Sequence, residues 1–187
     1  TFHPDQFILL SSANADIVRN SVNELDYQAQ VSSLIGADVI NIHGGGGYGD
    51  KPAALKRMGK VVSKLKKSTR KLLTVENDDR IYTPSDLLPF CAEHGIAFVY
   101  DVHHHRCLPD KLSVRQVTAA ALKTWDREPL FHISSPRNAW GKPGACWHRD
   151  YIDVKDFPVV VTMDSHGNSL HDVVREHSKK VFEQLMQ

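Results

Sequence analysis

Apolar and polar positions change rhythm along the chain. Five short runs are apolar and rich in β-branched residues: 38–43 (DVINIH), 72–76 (LLTVE), 96–101 (IAFVYD), 130–134 (LFHIS) and 159–164 (VVVTMD). Runs of this length predict strands buried on both faces, as in a parallel sheet. Between them the pattern turns helical. Residues 17–35 place Ile17, Val18, Val22, Leu25, Val31 and Leu34 near a 3.6-residue period, with Asp16 as N-cap. A helix over 52–67 opens on Pro52. A helix over 83–94 has Thr83 as cap, Pro84 in its first turn, Asp86 at N3 and Gly95 as its stop. Helices over 113–125 and 169–186 complete the set. Strand and helix alternate at roughly 25–33 residues per unit, which indicates an α/β fold with a parallel sheet. The segment 135–150 is a long loop with Pro, Gly and Trp, and long loops in compact domains are often functional.

Each predicted strand ends on chemistry. The residues are His43, Glu76, Asp101 with the following run His103–His105, His132 and Asp164. A single histidine at a strand end is more often structural than a ligand. Five strand ends in a row are harder to explain that way, because a lone charge buried there costs several kcal/mol unless paired or metal-bound. In parallel α/β folds ligands sit at the C-terminal strand edge, and in barrels that edge carries the active site. The pattern therefore predicts a convergent His/carboxylate metal site.

Bulk properties narrow the partners little. The chain has 187 residues, near one domain, and 41% hydrophobic content supports a core. We read residues 1–187 as a single domain. No run approaches the ~20 apolar residues of a membrane span, so no membrane partner is expected. The start, TFHPDQF, has no basic region followed by an apolar one and no initiating Met, which suggests a piece of a longer protein. Cys91, Cys107 and Cys146 are odd in number and scattered, so no disulfide framework is expected and a reducing cytoplasm is the default. A net charge of +1 neither requires nor excludes a polyanion, since basic residues can cluster locally.

The stretch NIHGGGGYGDK needs its own reading. Gly44, Gly46 and Gly49 fit GxGxxG between a strand and a helix, the context a dinucleotide site requires. Against it, His43 occupies the strand end where a pyrophosphate would approach, and no strand-end acid follows about twenty residues on. A Walker loop fails outright, because Asp50 separates Gly49 from Lys51 and no Ser or Thr follows. The simpler reading is clearance: glycines let backbone pass close to a neighbouring group.

Together, HPDQF at 3–7, NIHGGGGYGDK, VENDD at 75–79, YDVHHH at 100–105 and HISSPR at 132–137 resemble the UV damage endonucleases. The likeness runs over nearly the whole chain and is weakest beyond Phe157. It implies a TIM barrel, here incomplete: about five βα units forming the C-terminal part of a (β/α)8 barrel and lacking the first strands. It implies a divalent metal cluster, manganese first, with zinc or magnesium as alternatives. It implies a hydrolase that nicks damaged double-stranded DNA immediately 5′ of pyrimidine dimers and photoproducts, in the cytoplasm at the nucleoid. Carried over residue by residue, the metal ligands are His3, His43, Glu76, Asp101, His104 and His132, with Glu76 bridging. Imidazole and carboxylate together suit manganese or zinc. Strand alternation favours His103 over His104 as the ligand, whereas the family spacing favours His104; His103 stays as fallback and His105 is expected at the rim. Gln6 and Phe7 stand where the family places a pair that enters the duplex at the lesion; the competing reading of Phe7 is plain core. His148 resembles a loop histidine near the scissile phosphate, with a catalytic role beside Glu76. Arg80, Arg106, Arg137, Lys142 and Arg149 follow strand ends and are candidates for the phosphate backbone.

The sequence also departs from the family. Asp164, followed by SHGNS, stands where a strand-end Glu is usual; one methylene shorter, it is the expected ligand there, with His166 as the alternative donor. Leu130 replaces a lysine that is chemically modified in some relatives. Five strands do not close a barrel of eight. Homo-oligomerisation through open edges, or origin as an inactive fragment, is therefore expected. An apurinic-site nuclease of the endonuclease IV type is the nearest alternative activity.

Overall fold

Period-two alternation inside the buried runs sorts their side chains onto two faces. The computed structural model describes residues 1–4 and 7–156. The strand expected over 159–164 and the helix over 169–186 lie outside the described residues, as do Gln6, Asp164 and His166. Four strands are described: β1 Ile40–His43, β2 Leu73–Glu76, β3 Ala97–Asp101 and β4 Phe131–His132. All pair in parallel in the order β1-β2-β3-β4. Ile40, Ile42, Leu73, Val75, Phe98 and Tyr100 turn to the apolar core. The opposite face carries Asn41, His43, Thr74, Glu76 and Asp101. Register sets Asn41 beside Thr74, His43 beside Glu76 and Asp101 beside His132. A further stub lies on the free edge of β1, where Phe2 N–H donates to Val39 O at 2.8 Å and Asn41 N–H to Phe2 O at 2.9 Å. This parallel bridge delivers His3 to the same sheet end.

The helices connect successive strands, and the sequence signals for their ends are mostly obeyed. α1 spans Ala15–Ile35. Its cap is Asn14, whose Oδ1 accepts from Asp16 N–H at 2.9 Å; the expected cap Asp16 instead sits in the first turn and pairs with Arg19 at 2.7 Å. The buried stripe of α1 is Ser21, Leu25, Ala29 and Ser32, while Ile17 and Leu34 are exposed. Small residues let α1 approach the sheet closely, and period alone did not single them out. α2 spans Lys51–Val62, capped by Asp50, and stops short of the expected Lys67. Lys64 N–H to Val61 O and Leu65 N–H to Val62 O tighten its last turn and end it. A separate helix, α3, covers Lys67–Leu72 and is pinned to α1 by Asp26, which accepts from Thr69 and pairs with Lys66. α4, Pro84–His94, matches expectation: Asp86 accepts from Thr83 N–H at 3.0 Å, and Gly95 stops it at φ 59°. A short helix, α5 Val102–Cys107, leaves β3 without a loop and was not expected. α6 spans Val114–Leu122 behind its cap Ser113.

These elements form a compact unit, Thr1–Ile152. Its architecture is a four-stranded parallel piece of a β/α barrel. Contrary to the reading of three scattered thiols, Cys107 and Cys146 form a disulfide with Cα atoms 5.6 Å apart, within the usual span. Thirty-nine positions separate them, so only the fold brings them together. Cys91 is free and buried.

Phe98 on β3 is fully buried in the apolar layer. Phe98→Ala should destabilise the chain by ~3–5 kcal/mol, the usual cost for a buried aromatic. Urea unfolding reads this as a lower midpoint with an unchanged slope.

Candidate metal centre at the strand ends

Glu76 ends a central strand and is 1% exposed. Its two oxygens are approached from different elements. His3 Nε2 donates to Oε2 at 3.3 Å, and His132 Nδ1 donates to Oε1 at 2.9 Å. His104 Nδ1 lies 3.6 Å from Oε1 and 3.6 Å from Asp101 Oδ2. Ring centroids of His43 lie 5.3 Å from His3 and 5.7 Å from His104. His148 completes the ring, its Nε2 3.3 Å from His104 Nε2. These side chains line an open cleft of about 550 Å³ with Phe131, Ile133 and Ser134. A hollow of about 560 Å³ against α4 and α6 has Cys91 and Lys123 in its lining but no His, Asp or Glu.

Three sets of donors are each mutually close, within 4.8 Å: His3, His43 and Glu76; Asp101, His104 and His148; Glu76, Asp101 and His132. Glu76 and Asp101 each belong to two sets, as bridging carboxylates would. The donor chemistry fits a divalent cation of the manganese or zinc kind. The Nδ1 of His43 is buried and has no hydrogen-bond partner among the described residues. A buried imidazole nitrogen left unpaired is costly, and a cation bound through that nitrogen would relieve the cost.

Comparison with known proteins agrees with this geometry. The family profile described as UV-endonuclease UvdE matches residues 1–182. The chain belongs to this UvdE family. A UV DNA damage endonuclease of Bacillus cereus (strain G9842) is 33% identical over 186 residues, covering 96% of this chain and 58% of that protein. One from Bacillus velezensis is 36% identical over 160 residues, covering 82% of this chain and 49% of that protein. The crystal structure of SacUVDE aligns with a TM-score of 0.75 at 30% identity, over 82% of this chain and 52% of that one. The chain thus spans about half to three-fifths of these relatives.

In this UvdE-family chain, α5 sets His103 and His104 in different surroundings. The backbone turns helical directly after Asp101, whose Oδ1 accepts from His104 N–H at 2.8 Å as an N-cap. His104 therefore faces the cleft. Its Nδ1 donates to Asn77 O at 3.0 Å, which leaves Nε2, 3.3 Å from His148 Nε2, as the candidate ligating atom. His103 is fully buried beside Trp140 and His148. His105 is not a rim residue. It is 5% exposed, bonded through Nδ1 to Tyr100 Oη at 2.7 Å and through Nε2 to Asp110 at 3.0 Å.

The glycine run serves packing. A Cβ on Gly44 would strike the Tyr82 ring at 2.6 Å, and Gly45, at φ 79°, sits against Ser11. Asp50 caps α2 by accepting from Ala53 N–H, which removes the open helix terminus that a dinucleotide phosphate needs.

Phe7 is 71% exposed, so it is not core. The remaining basic candidates are dispersed. Arg80 is exposed and near Asp79. Arg137 and Arg106 lie over Trp147 and Trp140, with guanidinium to ring-centroid distances of 5.7 and 6.0 Å. Lys142 and Arg149 are exposed on the 135–150 segment. That segment closes as a hairpin through a Pro136–His148 bridge, with Arg149 N–H bonded to Ser135 O at 3.0 Å. The disulfide ties it to α5. Two supporting residues were not foreseen. Asn77 brackets Asp101, donating to its carbonyl and accepting from its N–H at 2.9 Å each. Asn41 donates to Glu76 Oε2. Asn77 directly follows the buried run of β2, and Asn41 lies inside that of β1, at i−2 of His43 on the same strand face.

Charge is set by mutual support. Burial would raise the Glu76 carboxyl, but hydrogen bonds from His132 and His3 outweigh it and hold the group well below the carboxylate range. Burial pushes Asp101 up. The hydrogen bond to Glu76 raises His3. Burial opposes protonation of His132, and the same carboxylate still raises it. Burial lowers His43. His3 and His132 therefore lend stability that is full below their unfolded pKa near ~6.5 and is lost as pH rises through their higher folded values. His43, buried neutral, acts in the opposite sense. Under a chelator, NMR titration of the histidine ring protons should place His3 and His132 above the ordinary imidazole value and His43 below it. Glu76→Gln should bring His3 and His132 down and leave neither raised.

Proposed function

We propose that this chain carries the catalytic centre of a metal-dependent DNA repair endonuclease that nicks the phosphodiester 5′ of UV lesions. The observation that supports this best is Glu76, a buried carboxylate shared by imidazoles from the N-terminal stub, α5 and β4. His3, His43, Glu76, Asp101, His104 and His132 would hold the cations, with manganese our first choice. Bound divalent cations supply a hydroxide nucleophile at neutral pH and stabilise the leaving oxygen of a phosphodiester. The chain's own groups do the rest. Asn77 and Asp101 hold the His104 ring through hydrogen bonds at its Nδ1–H and its main-chain N–H. His148 is exposed at the cleft mouth and can hand a proton to, or hydrogen-bond, a phosphate oxygen. Arg106, Arg137, Lys142 and Arg149 lie on or beside the hairpin and offer cationic contacts to the backbone, with Arg80 on the loop after β2. Phe7 is free to wedge beside a distorted base step, where unstacking costs least.

The edges of the four-stranded sheet extend the proposal. More of the same protein, or a second copy of this chain, would complete the barrel. Its substrate would place the protein at the nucleoid. Among the described residues no helix is long and apolar enough to cross a membrane.

The test is cleavage of three duplexes, carrying a pyrimidine dimer, an abasic site or no lesion, with Mn²⁺ and with EDTA. The reading expects a nick directly 5′ of the dimer, dependent on Mn²⁺ and lost in Glu76→Gln. Preference for the abasic duplex would move the assignment to apurinic-site chemistry. Absence of both cleavage and lesion-selective binding would remove the proposal for this chain. In anisotropy titrations Phe7→Ala should weaken binding to the dimer duplex about 10-fold, as expected for a lost base stack, and leave undamaged duplex unaffected.

A further inference from the structure

One pleat below the cleft, the inner faces of β1 and β2 hold a second polar pair. Asn41 and Thr74 are register partners, two residues before His43 and Glu76. They are 1% and 0% exposed. A buried amide or hydroxyl is tolerated only when hydrogen-bonded. Thr74 Oγ1 donates to Asn41 Oδ1 at 3.0 Å, closer than its other acceptor, Ile40 O at 3.4 Å. With its oxygen engaged, Asn41 turns its amide nitrogen to Glu76 and donates to Oε2. Oε2 also receives His3. The reversed amide would set Oδ1 against the carboxylate oxygen, whereas the Thr74 hydroxyl could still accept from the amide nitrogen. The carboxylate therefore decides which end of Asn41 faces it, and the Thr74 hydroxyl braces the amide oxygen in that orientation.

We propose that Asn41, braced at its amide oxygen by Thr74, is the positioning residue of Glu76. It fixes the carboxylate so that Oε1 and Oε2 reach their two donor sets together. It contacts no substrate in this role. The inference rests on reading the strand-end cluster as a metal centre. Outer hydrogen bonds to metal ligands commonly govern affinity, and their loss typically costs about 10–100-fold.

The purified chain is titrated with Mn²⁺ alone, and free Mn²⁺ is read from its EPR signal. Asn41→Leu keeps the approximate volume and removes the donor; it should bind Mn²⁺ about 10–100-fold more weakly. Thr74→Val leaves the buried Asn41 Oδ1 without its donor and should weaken binding less, whereas Thr74→Ser should recover most of the loss. The visible spectrum of the Co²⁺ form should change in Asn41→Leu and in Thr74→Val but not in Thr74→Ser. Mn²⁺ affinity of Asn41→Leu within about two-fold of the parent would overturn the proposal. Should Asn41→Leu fail to reproduce the parent's circular dichroism melt, the two Thr74 variants decide, and equal affinities overturn it. A parent that binds Mn²⁺ normally while Asn41→Leu is unaffected sinks only this inference. A parent that binds none sinks the metal-centre reading as well.

Discussion

A carboxylate buried at the end of a central strand is the constraint around which this molecule is built. Glu76 is almost inaccessible to solvent, and an isolated charge there would cost several kcal/mol or force the group to take a proton. Neither happens, because His132, His3 and Asn41 all donate to it. Each donor arrives from a different segment. The sheet register, the N-terminal stub and β4 must therefore all be in place before the carboxylate is satisfied. A buried ion pair is weak evidence for stability in general. Here the cluster is better understood as a site whose electrostatics the fold supports and whose function needs them.

Much of this was legible in the sequence because a parallel strand writes two messages at once. Ile40, Ile42, Leu73, Val75, Phe98 and Tyr100 announce burial, and the terminal His43, Glu76, Asp101 and His132 announce chemistry. The interior layer was less legible. Asn41 and Thr74 look like tolerated polar residues in apolar runs, and only register shows that they meet. The segment after Asp101 was misjudged for a related reason. VHHHR has no apolar period, yet Asp101 serves both as a strand end and as the cap of α5. That turn brings His104 to the cleft, as the family spacing implied, and buries His103, which strand alternation favoured; His105, expected at the rim, joins Tyr100 and Asp110 in a structural bond chain. The Cys107–Cys146 link was invisible because spacing carries no information about contacts across the fold.

The hairpin 135–150 gives the site one wall. It presents His148 to His104 and is fastened by the disulfide, by its own ladder bonds and by Trp140 against His103. Leu130, two residues before His132, offers no donor atom, and the groups gathered at the cleft are imidazoles and carboxylates. The UvdE family membership and the parallel-sheet geometry agree on the kind of architecture. The chain spans about half to three-fifths of the relatives' length.

The most direct test of the central claim is an anomalous difference map from crystals grown with Mn²⁺, collected around the manganese edge. The account predicts peaks at about 2.0–2.3 Å from a Glu76 oxygen, with nitrogens of His3, His43 or His132 completing the sphere. Density confined to surface acids, with Glu76 still held only by His3, His132 and Asn41, would contradict it.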